Sequence, residues 1–305
     1  MNDVIEDKLD PERLASRVRP VTVTASAPVN AWAIRNWCHA MGINSRLYAQ
    51  PAKESGVQVA PPAMLQLWTV LELQQHEHGV NRSLRQAFTE AGYTAIVATN
   101  YDLQSFKLAC VGDLVTTKVS LDSVSAHKVT PLGDGYFASE YHEWFNQNGD
   151  KLGDLKIRCF YFRPQARSGN PAATSAGQKP DIAQPGNGLV IHVDSTLVIA
   201  GAIVGNDYEL VHHDRDLARA QGLPDIIMNI ATSAAMAFRF ASQCEPTGVL
   251  RALSMRLGVP CCPGDVLHIS GECSAEDGGE RTYTIVGRNQ LGDHLKGSLV
   301  MQAAR

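Results

Sequence analysis

The sequence predicts an α+β protein that carries one helix-plus-antiparallel-sheet unit twice. Three observations lead there. In each half, helical patterns come first and strand patterns follow, an order that gives α+β layers rather than alternating βαβ units. Between the halves, from Arg163 to Gly188, lies a stretch rich in Pro, Gly, Ala, Ser and Gln and almost without apolar side chains, a linker of about 25 residues by its composition. The halves also share text: Val111-Gly112-Asp113-Leu114 matches Pro263-Gly264-Asp265-Val266 at the start of a strand, and Leu152-Gly153-Asp154 matches Leu291-Gly292-Asp293 at the start of the last strand. Between those landmarks the first half runs 41 residues and the second 28, so the first should carry the longer hairpin.

The expected division is residues 1–163 as one domain, 164–188 as flexible linker and 189–305 as a second domain. A chain of 305 residues, 44% hydrophobic and 19% charged, is long enough for two packed cores. The net charge of −4 and the lack of any basic block argue against nucleic acid as a partner. Met1–Asp7 is acidic and holds no apolar segment, and no run of about 18 apolar residues occurs. No signal peptide and no membrane span are therefore expected, and the cytoplasm is the expected location. The seven cysteines include no C-x-x-C pair, so neither a disulfide framework nor a metal site is indicated. Cys261-Cys262 reads as packing.

Taken in order, the alternating Val21-Thr22-Val23-Thr24 predicts a strand. Pro28-Val29-Asn30 opens a helix whose apolar side is Trp32, Ile34, Trp37, Cys38 and Met41, ended by Gly42. Pro61-Pro62 starts a second helix, Ala63–Leu71, apolar nearly all round, which a sheet should wrap. His76 and His78 read as solvated loop residues, and a short helix follows near Ser83–Ala91. Strands are predicted near Tyr93–Asp102, Leu114–His127, Tyr136–Asn146 and Leu152–Phe162. Gly112-Asp113, Gly133-Asp134-Gly135 and Asn148-Gly149-Asp150 supply turns. In the second half Leu189–Val193 and Thr196–Val204 read as strands, Asp207–His213 as a loop, Asp214–Gln221 as a short helix and Ile226–Ala241 as a long Ala- and Met-rich helix. Strands are then expected at Gly248–Leu257, Asp265–Cys273, Thr282–Arg288 and His294–Gln302.

The chemistry-bearing stretch is Gly205–Asp214. Asp207 and His212 flank a loop just ahead of a buried helix. A carboxylate and a neutral imidazole together activate water and move protons. The helix start near Met228-Asn229-Ile230 offers unpaired N–H groups to a developing oxyanion. Such parts suit addition of water to a double bond conjugated to a thioester carbonyl. On spacing alone the alternative stays open: Asp207 as a turn former and His212 as a satisfied polar contact. Asp214 reads as a helix cap and His213 as a bystander.

Asp207-x4-His212-x-Asp214-x3-Ala218-x3-Gly222 resembles the signature of the MaoC-like, (R)-specific enoyl-CoA hydratases. That resemblance implies a double hot-dog, two domains each with an antiparallel sheet wrapped round a long central helix. It implies Asp207 and His212 as catalytic dyad and the Ile230 backbone N–H as oxyanion donor. Glu209-Leu210 stands where the family has Asn-Pro, and Asn229-Ile230 where it has His-Gly. A narrower likeness is to the steroid side-chain enoyl-CoA hydratases of cholesterol degradation. Val211–Asp216, Asp225–Ile230, Arg256–Pro260 and Gly287–His294 resemble their catalytic subunit. Ala60–Leu65 and Leu47-Tyr48 resemble the noncatalytic one, with Ile43 and Tyr48 where the dyad would stand.

By that likeness the chain is a fusion, its first half degenerate and shaped round the acyl group. It would hydrate a steroid enoyl-CoA from cholesterol or bile-acid side chains. No cofactor is expected, CoA being part of the substrate. The family's zinc-binding module has no counterpart in the cysteines here, so no metal is expected. A homodimer of double hot-dogs and a separate aldolase are the implied partners. The competing functions are a MaoC-like hydratase or dehydratase on other acyl-CoA or acyl-carrier substrates, a hot-dog thioesterase, and a noncatalytic acyl-CoA binder. Ile226–Ala241 carries no Asp or Glu, which speaks against the thioesterase.

Overall fold

The computed structural model describes residues 9–49, 56–70, 79–164 and 188–303. The linker, His76 and His78 lie outside these residues, apart from Arg163, Pro164 and Gly188 at the linker's edges. The first half contains α1 (Pro11–Arg17), β1 (Val21–Thr24), α2 (Ala31–Met41), α3 (Arg46–Ala49), a 3-10 helix (Pro62–Thr69), α4 (Gly79–Glu90), β2 (Ala95–Ser105), β3 (Thr116–Val124), β4 (Lys128–Thr130), β5 (Gly133–Phe145) and β6 (Lys151–Pro164). The second contains β7 (Leu189–His192), α5 (Ser195–Val204), a 3-10 turn (Leu210–His212), α6 (Arg215–Ala220), α7 (Ile230–Cys244), β8 (Val249–Leu257), β9 (Val266–Asp277), β10 (Glu280–Asn289) and β11 (Gly292–Gln302). Among the described residues no helix is long and apolar enough to cross a membrane.

The strands form one antiparallel sheet in the order β1-β3-β5-β6-β2-β8-β11-β10-β9-β7, with β4 on β5. The two halves are mirror images in that order. They meet where Asn100–Gln104 of β2 pairs with Ala252–Arg256 of β8, Asp102 lying opposite Ser254. The Ser254 hydroxyl donates to Asp102 Oδ1 across the seam. The main apolar core is α7, fully buried along Ala234–Phe238, packed with residues from both halves, including Tyr48, Met64, Leu103, Leu253 and Leu299.

The duplication shows in matched hydrogen bonds. Gly112 and Gly264 have φ of 99° and 96°, a region open to glycine. Their N–H groups donate to Val29 O and Val193 O at 2.8 Å each. Asp113 Oδ2 accepts Cys110 N–H and Asp265 Oδ2 accepts Cys262 N–H, both at 2.8 Å. The next residues, Asn30 and Asp194, cap α2 and α5 by accepting Ala33 N–H and Leu197 N–H.

Several sequence expectations need correction. Thr196–Val204 is not a strand but most of α5. The Asp194 cap starts it, and Gly201 lets it lie against α7, since a Cβ there would come within 2.4 Å of Thr232 Oγ1. Trp32, placed on the buried side of α2, is 66% exposed, whereas Ile34, Trp37, Cys38 and Met41 are buried. β5 already begins at Gly133, so the turn before it is Pro131-Leu132 rather than Gly133–Gly135. The second textual match was also misaligned. Asn146 Oδ1 accepts Asn148 N–H and Asn289 Oδ1 accepts Leu291 N–H, and Gln147 and Gln290 donate to Asp113 and Asp265. The equivalent turns are therefore Asn146-Gln147-x-Gly149-Asp150 and Asn289-Gln290-x-Gly292-Asp293. Leu152-Gly153-Asp154 does stand at the start of β6, as expected, but is not the equivalent of Leu291-Gly292-Asp293 at the start of β11. The longer first-half connection remains, and its β3–β5 arm contains β4.

The largest difference concerns the central helix. α7 starts at Ile230, not Ile226, with Asn229 as its cap, and runs 15 residues. Its counterpart in the first half is a 3-10 helix of 8 residues. Pro61 and Pro62 supply no N–H and no side-chain cap, Met64 N–H closes on Pro61 O at 2.9 Å, and Val70 is extended. α4 then packs into a separate aromatic cluster with Tyr93, Tyr136 and Tyr161.

Candidate active site

At the end of α5, Asn206 turns the chain with φ 53°, and Asp207 N–H bonds back to Ala202 O at 2.9 Å. Asn is one of the few side chains that adopt this left-handed conformation readily. Asp207 is thereby aimed across the start of α7. Its Oδ2 accepts Asn229 Nδ2–H at 2.8 Å and its Oδ1 accepts Glu209 N–H at 3.3 Å. The 3-10 turn then carries His212, whose Nδ1 lies 2.8 Å from Ile227 O. A carbonyl only accepts, so Nδ1 carries the hydrogen and Nε2 presents its lone pair in the neutral ring. Nε2 is 3.5 Å from Asp207 Oδ2. The imidazole is 10% exposed and the carboxylate 29%. That gap is too wide for a good direct hydrogen bond and suits a water held by both acceptors.

The start of α7 faces the same corner. Asn229 Oδ1 accepts Thr232 N–H at 2.7 Å, and Asn229 O accepts Ser233 N–H at 3.0 Å. Ile230 N–H and Ala231 N–H have no partner among the described residues. An unpaired first turn is where a helix best holds negative charge. Ile226-Ile227-Met228 lies outside regular structure, with Ile226 and Met228 buried in the core. Ile227 N–H donates to Val211 O and Met228 N–H to Cys261 O. The Cys261 and Cys262 thiols are buried, and burial pushes both up to about 12, so they stay protonated and serve as packing. Deeper in, Ser233 Oγ lies 3.0 Å from His294 Nε2, and His294 Nδ1 lies 2.8 Å from Val259 O. Burial holds His294 below its ordinary value of 6.5.

The structure brings Asp207, His212 and the Ile230 N–H into one corner. It sets Asp214 apart as the cap of α6, its Oδ1 accepting Leu217 N–H at 3.0 Å. His213 Nδ1 has no hydrogen-bond partner among the described residues. Two participants were not foreseen. Asn229 joins the carboxylate to the helix start through its two side-chain atoms. The expected helix start near Met228-Asn229-Ile230 includes it, and a good cap residue ahead of an Ala-rich run is its sequence signal, but its bond to the Asp207 carboxylate is a long-range contact with no local signal. Arg85 of α4 forms an ion pair with Glu209, tying the first half to the loop between Asp207 and His212. The two residues stand 124 apart, and no local pattern announces such a contact.

The first half repeats this corner without its chemistry. Gly42 turns the chain with φ 65°, and Ile43 N–H bonds to Cys38 O at 2.8 Å, as Asp207 does to Ala202. Ile43 stands at the carboxylate's place and Tyr48 at the imidazole's. Tyr48 is fully buried, its ring edge-on to Phe238 of α7 at 5.9 Å between centroids. Its hydroxyl finds no hydrogen-bond partner among the described residues, and burial raises its pKa.

Comparison with known proteins adds the relationship. Residues 20–154 match the model of the FAS1-like dehydratase domain region. The chain is 39% identical over 108 residues to the β subunit of a 3-oxo-4,17-pregnadiene-20-carboxyl-CoA hydratase from Mycobacterium tuberculosis, covering 35% of this chain and 84% of that subunit. It is 32% identical over 169 residues to the α subunit, covering 52% of this chain and 51% of the subunit. A probable enoyl-CoA hydratase α subunit from Thermomonospora curvata is 31% identical over 147 residues, covering 45% of this chain and 46% of that one. The chain thus spans about half the length of these two α subunits. Among solved structures, a MaoC-like dehydratase superposes with TM-score 0.69 at 13% identity, covering 95% of this chain and all of that one. A Mycobacterium tuberculosis protein described as a double hot-dog superposes with TM-score 0.60 at 14% identity, covering 96% and 98%. These two likenesses show the fold, and with the β-subunit match the chain belongs to the MaoC-like enoyl-CoA hydratase family.

Proposed function

We propose that the second half hydrates the α,β double bond of a steroid side-chain enoyl-CoA, with Asp207 and His212 as the dyad and the Ile230 N–H as oxyanion donor. The observation that carries this reading is the His212 geometry. Its Nδ1 hydrogen is committed to Ile227 O, and its Nε2 lone pair sits 3.5 Å from Asp207 Oδ2 beside an unpaired helix start.

A water between the two acceptors gives up one proton to the dyad while its oxygen bonds to the β-carbon. The π electrons move to the thioester oxygen, where the α7 N–H holds the enolate. The enolate then collapses and takes the proton at the α-carbon, giving the β-hydroxyacyl-CoA. Donors fixed in place before charge develops lower the barrier because they need not reorganise. No cofactor enters this scheme, CoA being carried by the substrate.

On this reading residues 1–163 are a degenerate hot-dog that accommodates the acyl body, 164–188 the linker and 189–305 the catalytic domain. The protein works in the cytoplasm, pairs into a dimer of double hot-dogs, and hands its product to a separate aldolase.

The test is an assay of the purified protein on enoyl-CoA thioesters from a four-carbon chain to a steroid one. A steroid thioester is expected to show the highest kcat/KM. Equal turnover of a medium straight chain would move the assignment to a general MaoC-like hydratase.

A further inference from the structure

The start of α7 has a counterpart in the first half that backbone hydrogen bonds fix residue by residue. Cys261 O accepts Met228 N–H and Ala109 O accepts Ala60 N–H, both at 2.8 Å. Ser233, five residues past Met228, therefore stands where Leu65 stands past Ala60. His294 O accepts Gly258 N–H just after β8, and Leu152 O accepts Phe106 N–H just after β2. Each is also the residue that its ladder skips. β10 and β11 pass from Arg288–Asp293 to Gly287–Leu295, and β5 and β6 from Phe145–Lys151 to Trp144–Gly153. Ser233 and His294 are thus the counterparts of Leu65 and Leu152.

All four side chains are buried. Leu65 lies against the start of β6, where a Cβ on Gly153 would come within 2.6 Å of its Cδ1. The same place in the second half holds a hydroxyl 3.0 Å from an imidazole. Leucines satisfy this fold, and a buried polar pair stabilises no better than well-packed apolar residues. The polar pair stands in the half that has Asp207 and His212, and the leucines in the half that has Ile43 and Tyr48.

His294 Nδ1 faces Val259 O at 2.8 Å. A carbonyl only accepts, so Nδ1 carries the hydrogen and Nε2 of the buried neutral ring accepts. The Ser233 hydroxyl supplies that hydrogen, and its Oγ is held 3.0 Å from Asn229 O as well. One hydrogen shared between two acceptors is common at helix ends. Ser233 N–H reaches the same carbonyl at 3.0 Å. Asn229 C=O and Ile230 N–H are two sides of one planar peptide, so whatever fixes the carbonyl fixes the direction of the N–H. The two sides are also coupled. Negative charge met by the N–H makes the carbonyl a stronger acceptor, and donors already facing it strengthen in turn.

We propose that Ser233, oriented by His294, is a positioning residue for the oxyanion donor: it holds the Asn229–Ile230 peptide so that its N–H meets the thioester oxygen as charge develops there. This rests on the hydratase reading above. The contact counts most when that oxygen is negative, so its loss falls on kcat rather than on KM.

The experiment gives the second half the first half's pair, Ser233→Leu with His294→Leu, and separately makes Ser233→Ala. Three readouts run in parallel: steady-state hydration of a steroid enoyl-CoA, thermal melting, and the infrared carbonyl band of a bound saturated steroid acyl-CoA labelled with carbon-13 at the thioester carbonyl. Binding to the wild-type protein should lower that band below its position in free solution. Both variants should cut kcat by about 10- to 100-fold with KM little changed, and return the band toward its free position. The double variant should melt close to the wild type; if it does not fold, Ser233→Ala decides. An unchanged kcat in a folded variant, or a rise in KM as large as the fall in kcat, overturns the proposal and leaves the hydratase reading standing. A band that binding does not displace in the wild type, or that the variants leave displaced, overturns it as well. If the wild-type protein hydrates no thioester, the hydratase reading fails, and a band displaced in the wild type and restored in the variants still upholds the role of Ser233 at the thioester oxygen.

Discussion

Two corners of the molecule have the same backbone and opposite chemistry. After α2 the chain turns at Gly42, and Ile43 and Tyr48 enter the apolar core. After α5 it turns at Asn206, and Asp207 and His212 are held by Asn229, Glu209 and Ile227. The comparison separates what a fold supplies from what a site needs. The helix, the left-handed turn and the return hydrogen bond are present twice. The partners that aim a carboxylate and fix a tautomer are present once. On the function proposed above, activity would reside in the grafted side chains and not in the scaffold.

The comparison breaks most sharply through the dyad itself. Asp207→Asn and His212→Ala should each lower kcat by about 10²–10⁴, read by steady-state hydration of an enoyl-CoA with thermal melting as the control for folding. A comparable loss from Ile43→Val would place the chemistry in the wrong half. Next in size is Asn229. Asn229→Ala should lower kcat about 10- to 100-fold by freeing the carboxylate, and cost about 1 kcal/mol through the lost cap. Asn229→Asp sharpens the point. It keeps a capping oxygen while setting a second carboxylate against Asp207, so kcat should fall with the melting temperature nearly retained. The smallest effect belongs to the other corner. The Tyr48 hydroxyl is buried without a partner among the described residues, so Tyr48→Phe should raise stability by less than about 1 kcal/mol and leave kcat alone. A large loss of activity from that change would mean that the first corner touches the reaction.

Much of this was legible in the chain because local chemistry decided it. Asn30 and Gly42 bound α2, and the Gly-Asp pairs stand just ahead of β3 and β9. Other features were decided by packing at long range. Thr196, Val198, Ile199, Ile203 and Val204 are β-branched and suggest a strand, yet the Asp194 cap and the close fit of Gly201 on Thr232 make a helix. Ile226 and Ile227 extend the apolar pattern of α7 although their backbone is committed elsewhere, Ile227 to Val211 and His212. The shortened central helix of the first half was hidden because Ala63–Leu67 is as apolar as a full helix would be. The Arg85–Glu209 bridge joins two exposed-looking residues that only the folded halves bring together.

The seam between β2 and β8 has a consequence for dosage. Two half-proteins made separately would meet by diffusion, so their pairing would depend on synthesis rates and on dilution. Here residues 100–104 and 252–256 belong to one covalent chain, and a tether turns such an encounter into an intramolecular one at an effective concentration of about a millimolar. The ratio of the two halves is thus held at one to one, and their mutual occupancy does not fall as the protein becomes scarce.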